Sequence, residues 1–248
     1  MSQSIVIIPT YNEIENIEAI ILKVLSLPHP FHLLIIDDGS PDGTAAVVKQ
    51  LMSEYTDRLF LVERKGKLGL GTAYIHGFKW ALERNYEYIF EMDADFSHPP
   101  EDLINLYKAC AMEGNDIAIG SRYITGVNVV NWPIQRVLMS YFAGYYVRTV
   151  MGMPIMDPTA GFICYTSKVL KTIELDKIRF IGYAFQIEMK FNSWKYGFKI
   201  KEVPIIFTDR TLGASKMSAG IFKEAILGVI ALKISSYFKR YIPKSSAH

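Results

Sequence analysis

Glu87-Tyr88-Ile89-Phe90-Glu91-Met92, continuing into Asp93-Ala94-Asp95 and then Phe96-Ser97-His98-Pro99-Pro100, is the stretch that decides the fold. Its first part is short, apolar and aromatic, as strands are. Its end is acidic. The two prolines suit a helix start, and Leu103, Leu106, Tyr107 and Cys110 then recur at helical spacing. A strand that hands over to a helix through a polar turn is one step of an alternating β/α chain.

The same step repeats upstream. Ser4–Ile8 is apolar and β-branched and leads into Pro9-Thr10-Tyr11-Asn12-Glu13, with Asn12 as the expected helix cap and Glu15 three residues on. Ile14, Ile17, Ile20, Ile21, Val24 and Leu25 follow at helical spacing. Leu33–Ile36 runs into the turn-rich Asp37-Asp38-Gly39-Ser40-Pro41-Asp42-Gly43, and Val47, Val48, Leu51, Met52 and Tyr55 mark the next helix. Leu59–Val62 is a third strand, separated by Gly66, Gly69 and Gly71 from a helix over Ala73–Arg84. Downstream, Asp116–Ile119 is a fifth strand. Val137–Met151 reads as a helix, Gly161–Tyr165 and Ile200–Phe207 as strands, and Tyr183–Trp194 as a helix between them. A final amphipathic helix is expected from about Ser218 to Tyr237. Strands alternating with helices predict an α/β fold: a mostly parallel central sheet with helices on both faces. In such sheets ligands sit beyond the carboxyl ends of the strands, where every polar loop just named falls. The expected organisation is one domain over residues 1–235, followed by a basic tail, 236–248.

Composition bounds the function. Half of the 248 residues are apolar and the net charge is +2, so no global field favours nucleic acid. Cys110 and Cys164 lack metal-site spacing and read as free thiols of a reducing compartment. The chain enters its first strand directly, with no leader pattern. The two longest apolar runs, Val137–Met156 and Ile221–Ile234, are broken by Arg148 and by Lys223, Glu224 and Lys233, so neither reads as a spanning helix.

The acidic turn carries the chemistry. A diphosphate leaving group needs its charge neutralised, and a hard divalent cation held by oxygen ligands does this. Asp93 and Asp95 flank one small residue at a strand end. Alone, such a motif is a common solvated turn. Asp37-Asp38 and Glu13 place further carboxylates at two other strand ends, and a shared ligand then explains the set better than three unrelated turns. Those carboxylates suit ring N–H groups or ribose hydroxyls, although Asp37-Asp38 could equally close an Asx turn and Glu13 support a helix dipole.

The ordered set Pro9-Thr10-Tyr11-Asn12-Glu13, Asp37-Asp38-Gly39-Ser40-Pro41-Asp42-Gly43-Thr44, Met92–Pro100, Gly120-Ser121-Arg122-Tyr123, Gly182–Met189, Glu202-Val203-Pro204-Ile205 and Asp209–Met217 resembles the family 2 glycosyltransferases, above all dolichyl-phosphate (polyprenyl-phosphate) mannose synthases. The resemblance runs to about Leu232. It implies a GT-A-type, Rossmann-like domain that moves mannose from GDP-mannose to dolichyl or polyprenyl phosphate with inversion. Pro9, Tyr11, Glu13, Ile36 and Asp38 would line the guanosine pocket. Asp93 and Asp95 would hold Mg2+ or Mn2+ with the Ala94 backbone close to the nucleotide. Ser97 stands where some members have a longer glutamine that also reaches the metal. Arg122 and Arg136 would bind the lipid phosphate, while Arg210 and Lys216 would meet the donor and acceptor phosphates. Asp157 and Glu188 are candidates for positioning the acceptor or sugar hydroxyls.

A phosphate monoester is already anionic near neutral pH, so transfer to it needs placement and charge stabilisation rather than a strong base. Planar guanidinium groups suit such a ligand. A lipid acceptor also requires a membrane surface. Phe222, Ile226, Val229 and Ile230 form an apolar stripe, and Lys239, Arg240 and Lys244 follow it. This predicts peripheral attachment to the cytoplasmic membrane face, directly or through a membrane-protein partner. The competing readings are a UDP-sugar donor, a saccharide acceptor, and a nucleotide-sugar-binding protein without catalysis.

Overall fold

The strands, in chain order, are β1 (Ser4–Thr10), β2 (His32–Asp37), β3 (Leu59–Glu63), β4 (Tyr88–Glu91), β5 (Ile117–Ser121), β6 (Val129–Val130), β7 (Ile163–Thr166), β8 (Ile200–Pro204) and β9 (Phe207–Thr208). The helices are α1 (Ile17–Leu25), α2 (Thr44–Met52), α3 (Leu70–Glu83), α4 (Leu103–Ala111), α5 (Ile134–Met151), α6 (Ser167–Thr172), α7 (Ala184–Lys195) and α8 (Ala219–Ser236). The computed structural model describes residues 3–182, 184–209 and 219–242, the last segment with side chains from 227 onward. Among the described residues, seven strands form one sheet in the order β3-β2-β1-β4-β7-β5-β8, and β6 pairs with β9. All neighbours in the large sheet are parallel except β7, which runs antiparallel to both β4 and β5.

Both faces of the sheet are covered, which explains the continuous apolar runs of the central strands. The side-chain period of two sorts them. Ile5, Ile7, Leu34 and Ile36 enter one core with Phe78 of α3 and Phe185 of α7. Val6, Ile8, Leu33 and Ile35 enter the other with Ile20 of α1, Val48 of α2 and Leu106 of α4.

The expected elements are present, with four differences. Asn12 does not cap α1: it adopts a left-handed backbone, φ 55°, and Asn16 precedes the helix. The loop is held instead by the following βα turn, where Ser40 Oγ, Thr44 Oγ1 and Asp42 Oδ2 accept from the amides of Asn12, Glu13 and Ile14. The single strand expected over Ile200–Phe207 is broken after Pro204. The Ile205 amide donates to Ser121, and the chain then crosses to β6, where the Phe207 amide donates to Asn128. The short β6, β9 and α6 have too few residues for a periodic signal. The stripe expected on the last helix is divided: Val229 is buried and Ile230 is exposed. Phe222 and Ile226 have side chains outside the described residues.

Gly77 lets α3 lie against β1. A Cβ there would stand 2.7 Å from Ile7 Cγ2 and 2.9 Å from its Cδ1, and Ile7 is fully buried. Gly77→Ala gains about 1 kcal/mol of helix propensity but overpacks a close-packed core, which costs roughly 1–3 kcal/mol. The expected outcome is a lower urea midpoint. A midpoint equal to or above that of the parent would mean that the helix–sheet contact is not tight.

Candidate active site

β1, β2 and β4 are parallel neighbours, so their carboxyl ends open on one edge of the sheet. At the β2 end the two aspartates do different work. Asp37 accepts from Thr10 Oγ1 at 2.9 Å and from the Ser40 amide and hydroxyl at 2.9 and 2.6 Å. Asp38 is paired with Arg64, which donates from Nε at 2.6 Å and Nη2 at 2.8 Å, while Arg64 Nη1 donates to Thr72. Arg64 was missed by the sequence reading, and its one available signal is its place directly after β3. This bidentate pair ties the β3–α3 loop to the β2 end. Pro9 and Tyr11 are half-buried at the β1 end, and Lys67 Nζ stands 5.2 Å from the Tyr11 ring centre. Glu13 accepts at Oε2 from Asn16, and Ile36 is fully buried.

β4 delivers Asp93-Ala94-Asp95. Asp93 is half-buried, and Ala94 and Asp95 are buried. A tight turn follows, with Phe96 in the left-handed region at φ 59°, which a bulky residue adopts only under constraint. The constraint is visible on both sides. Ser97 donates to Asp95 Oδ1 from its amide at 3.1 Å and its hydroxyl at 2.6 Å. The Asp93 amide donates to His98 Nδ1 at 3.2 Å. The His98 ring is itself stacked on Phe162 at 5.0 Å and meets Phe207 edge-on. Ser97 therefore orients the Asp95 carboxylate, and His98 holds the backbone at Asp93.

The donor set fits a hard cation. Among the described residues, no group of three or more His, Cys, Asp or Glu is arranged to hold a metal. Two adjacent carboxylates suit Mg2+ or Mn2+, which keep positions for waters and substrate phosphates.

The acidic turn opens into a cavity of about 510 Å³. Asp93, Asp95, Arg122 and Arg136 line it together with an apolar wall from α5: Met139, Phe142, Ala143, Tyr146 and Val147. Arg122 follows β5 and is fixed by Asp157, which accepts from Arg122 Nε and Nη2 at 2.7 Å each and from its amide at 3.0 Å. Burial pushes the Asp157 carboxyl up, but the Arg122 charge and hydrogen bonds outweigh it and hold the group below the usual carboxylate range. Asp157 thus stands behind Arg122 rather than on the cavity wall. Arg136 Nη1 donates to Asp209 at 2.7 Å. Glu188 is buried, and its Oε2 accepts from the amides of Arg179 and Phe180. Arg210 and Lys216 lie outside the described residues.

Behind the motif, Gln186 Nε2 donates to Glu91 at 2.5 Å and Lys190 Nζ donates to the Ala160 carbonyl at 2.6 Å. Burial raises Glu91 to about 8 and lowers Lys190 to about 8.

Burial lowers the His98 pKa from its usual 6.5 to about 4. In the unfolded chain the imidazole takes a proton near 6.5, whereas the folded chain resists until about 4. Stability contributed by neutral His98 is therefore present above pH 6.5 and lost as pH falls towards 4. Thermal midpoints measured across this window should decline, and His98→Asn should flatten the decline. An identical pH slope in the variant would assign it to other groups.

Comparison with known proteins identifies the family. The family described as glycosyl transferase family 2 matches residues 5–173. The chain is 45% identical over 227 residues to a polyprenol monophosphomannose synthase from Mycolicibacterium smegmatis, covering 92% of this chain and 85% of that one. It is 43% identical over 223 residues to an undecaprenyl-phosphate mannosyltransferase from Micrococcus luteus, covering 90% of each. Among solved structures, it is similar in fold to a mannosyltransferase from Pyrobaculum calidifontis in complex with GDP-Man and Mn2+. The TM-score there is 0.62 at 18% identity, covering 96% of this chain and 64% of that one. A glucosyl-3-phosphoglycerate synthase from Mycobacterium tuberculosis in complex with UDP gives a TM-score of 0.64 at 18% identity, over 98% and 82% of the two chains. By the extent of the family match and the identity to its curated relatives, the chain belongs to glycosyl transferase family 2.

Proposed function

We propose that this chain is a hexosyltransferase that moves mannose from GDP-mannose to the phosphate of a polyprenol or dolichol, giving a polyprenyl β-mannosyl phosphate. The observation that carries the reading is the cavity, which joins Asp93, Asp95, Arg122 and Arg136 to the apolar wall of α5. Such a cavity matches a ligand with an anionic head and a hydrocarbon body. The two relatives named for polyprenol phosphate mannosyl transfer support the acceptor, and the neighbour solved with GDP-Man is consistent with the donor.

The donor's guanosine is assigned to the ends of β1 and β2, at Pro9, Tyr11, Glu13, Ile36 and Asp38. Asp93 and Asp95 would hold Mg2+ or Mn2+, which when bound neutralises the diphosphate leaving group. Ser97 keeps the Asp95 carboxylate oriented, and His98 holds the backbone at Asp93. Arg122 and Arg136 hold the acceptor phosphate, and Arg122 is oriented by Asp157. Arg210 and Lys216 serve the donor and acceptor phosphates. An acceptor phosphate oxygen attacks the anomeric carbon as the bond to the β-phosphate oxygen breaks and GDP departs. Attack from the side opposite the leaving group inverts the centre. The nucleophile is already anionic, so no base needs to take a proton.

The acceptor places the enzyme at a membrane. Among the described residues, no helix is long and apolar enough to cross one. The outer side of α5 exposes Ile134, Leu138, Tyr141 and Tyr145 next to the cavity wall. This face, with the basic end of the chain, docks peripherally on the cytoplasmic side of the membrane, alone or against a membrane-protein partner.

Asp95→Ala should keep the fold and lower transfer at least about a hundredfold, the scale on which preorganised charge stabilisation acts. Product mass after incubation with a panel of nucleotide sugars and polyprenyl phosphates checks the assignment. A lipid-linked hexose formed from UDP-glucose but not from GDP-mannose would overturn the donor. Undiminished turnover in Asp95→Ala would overturn the metal site.

A further inference from the structure

We propose that the indole N–H of Trp132 is a ligand of the phosphate monoester that accepts the sugar, completing a subsite shared with Arg122 and Arg136. The inference rests on the function argued above. Trp132 lies between β6 and α5, and its ring is part of the cavity wall. The Arg136 guanidinium carbon stands 4.1 Å from the ring centre and that of Arg122 stands 5.7 Å away. Phe207 packs against the ring edge-on at 5.3 Å. Three neighbours therefore fix the ring. Its one polar atom, Nε1, is buried and has no hydrogen-bond partner among the described residues.

Buried polar groups are almost always paired, and an unpaired one forfeits its hydration without return. An indole N–H donates and never accepts, so whatever pairs it must bring an acceptor oxygen. A sugar hydroxyl would meet that demand, but it leaves unexplained the two guanidiniums set beside the same ring. An anionic phosphate, with several acceptor oxygens, can serve the indole N–H and both guanidiniums. The arginines are already held by Asp157 and Asp209, so the charged part of the subsite is in place before the ligand arrives, and the buried indole N–H is uncovered as the phosphate seats. Asp93 and Asp95 line the same cavity and repel a bare phosphate. That favours the arginine and tryptophan side for the acceptor and leaves the acidic side to the metal-bound donor.

Two replacements isolate the N–H. Trp132→Phe keeps an aromatic face for the arginines, and β-(3-benzothienyl)alanine at 132 keeps the ring shape while putting sulfur in place of N–H. The probes are farnesyl phosphate and inorganic phosphate, with binding measured by calorimetry and KM by mannose transfer. Both variants should bind farnesyl phosphate about tenfold or more weakly, the scale of a hydrogen bond to a charged group, with GDP affinity unchanged. An equal loss for inorganic phosphate would show that the phosphate alone is read. A loss confined to farnesyl phosphate would show that the lipid is needed to seat it. Unchanged farnesyl phosphate binding in the benzothienyl variant, or a loss that falls on GDP instead, overturns the proposal. A parent chain that binds farnesyl phosphate through Trp132 yet makes no mannolipid would overturn the donor assignment and leave this subsite standing.

Discussion

The point at which β4 stops governs the rest of the site. On one side β4 pairs in parallel with β1, Ile7 opposite Glu91, and on the other it pairs antiparallel with β7, Glu91 opposite Ile163. The first pairing sets the acidic turn beside the β1 loop that carries Tyr11 and Glu13. The second brings the chain in through Asp157–Gly161 on its way to Ile163, so the support for Arg122 arrives at the same place. The reversal of β7 is what allows this, since a parallel strand would deliver its incoming loop to the opposite edge of the sheet. Register is strict because both faces are buried. Ile89 belongs to one core and Phe90 to the other, and a one-residue slip would exchange them.

The charges at this edge are paired before any ligand binds. Arg122 is 11% exposed at its side chain and Asp157 is fully buried, and breaking such a pair by removing one partner costs roughly 3–5 kcal/mol. The return is an orientation that needs no rearrangement during reaction, which is how fixed charges stabilise a transition state. Beneath the motif the logic is reversed. Glu91 and Lys190 meet only neutral partners, Gln186 and the Ala160 carbonyl, and burial draws each of them towards its neutral form.

The strand ends were legible in the sequence because each couples a strong apolar run to a polar turn. Asp93, Asp95, Arg122 and Arg136 all follow or adjoin such a run, and the structure gathers them into one cavity. What each side chain touches was not legible. Asp38 is expected at the nucleoside from its place in the chain; that its carboxylate also pairs with Arg64, just after β3, is a contact that no local pattern encodes. Asp157 reads as a turn former until β7 folds it behind Arg122. Ser97 sits where a metal ligand is expected, and that its hydroxyl donates to Asp95 could not be read from the sequence. Trp132 lies in an irregular segment where neither helical nor strand spacing applies. Apart from the arginine contacts of Trp132, these are contacts between residues distant in the chain, or turns that need a left-handed residue such as Phe96, and sequence periodicity carries neither.

Helix α5 shows the same limit for the lipid-facing side. Its apolar residues surround the axis, so no single stripe stands out, and the pattern resembles that of a buried helix. Yet only Gly144, Val147 and Met151 are buried. Met139 and Phe142 line the cavity, while Ile134 and Tyr145 are 68% and 59% exposed. One helix thus separates a charged pocket from solvent with hydrocarbon on both its sides. An apolar face of that extent marks a surface that another phase or partner covers. On the proposed function the cover is the bilayer, and the arrangement then has a direct physical sense. On that reading the polyprenyl chain would run from the apolar wall of the cavity into the bilayer along α5, in hydrocarbon throughout. Arg122 and Arg136 would then replace the solvation that the phosphate gives up.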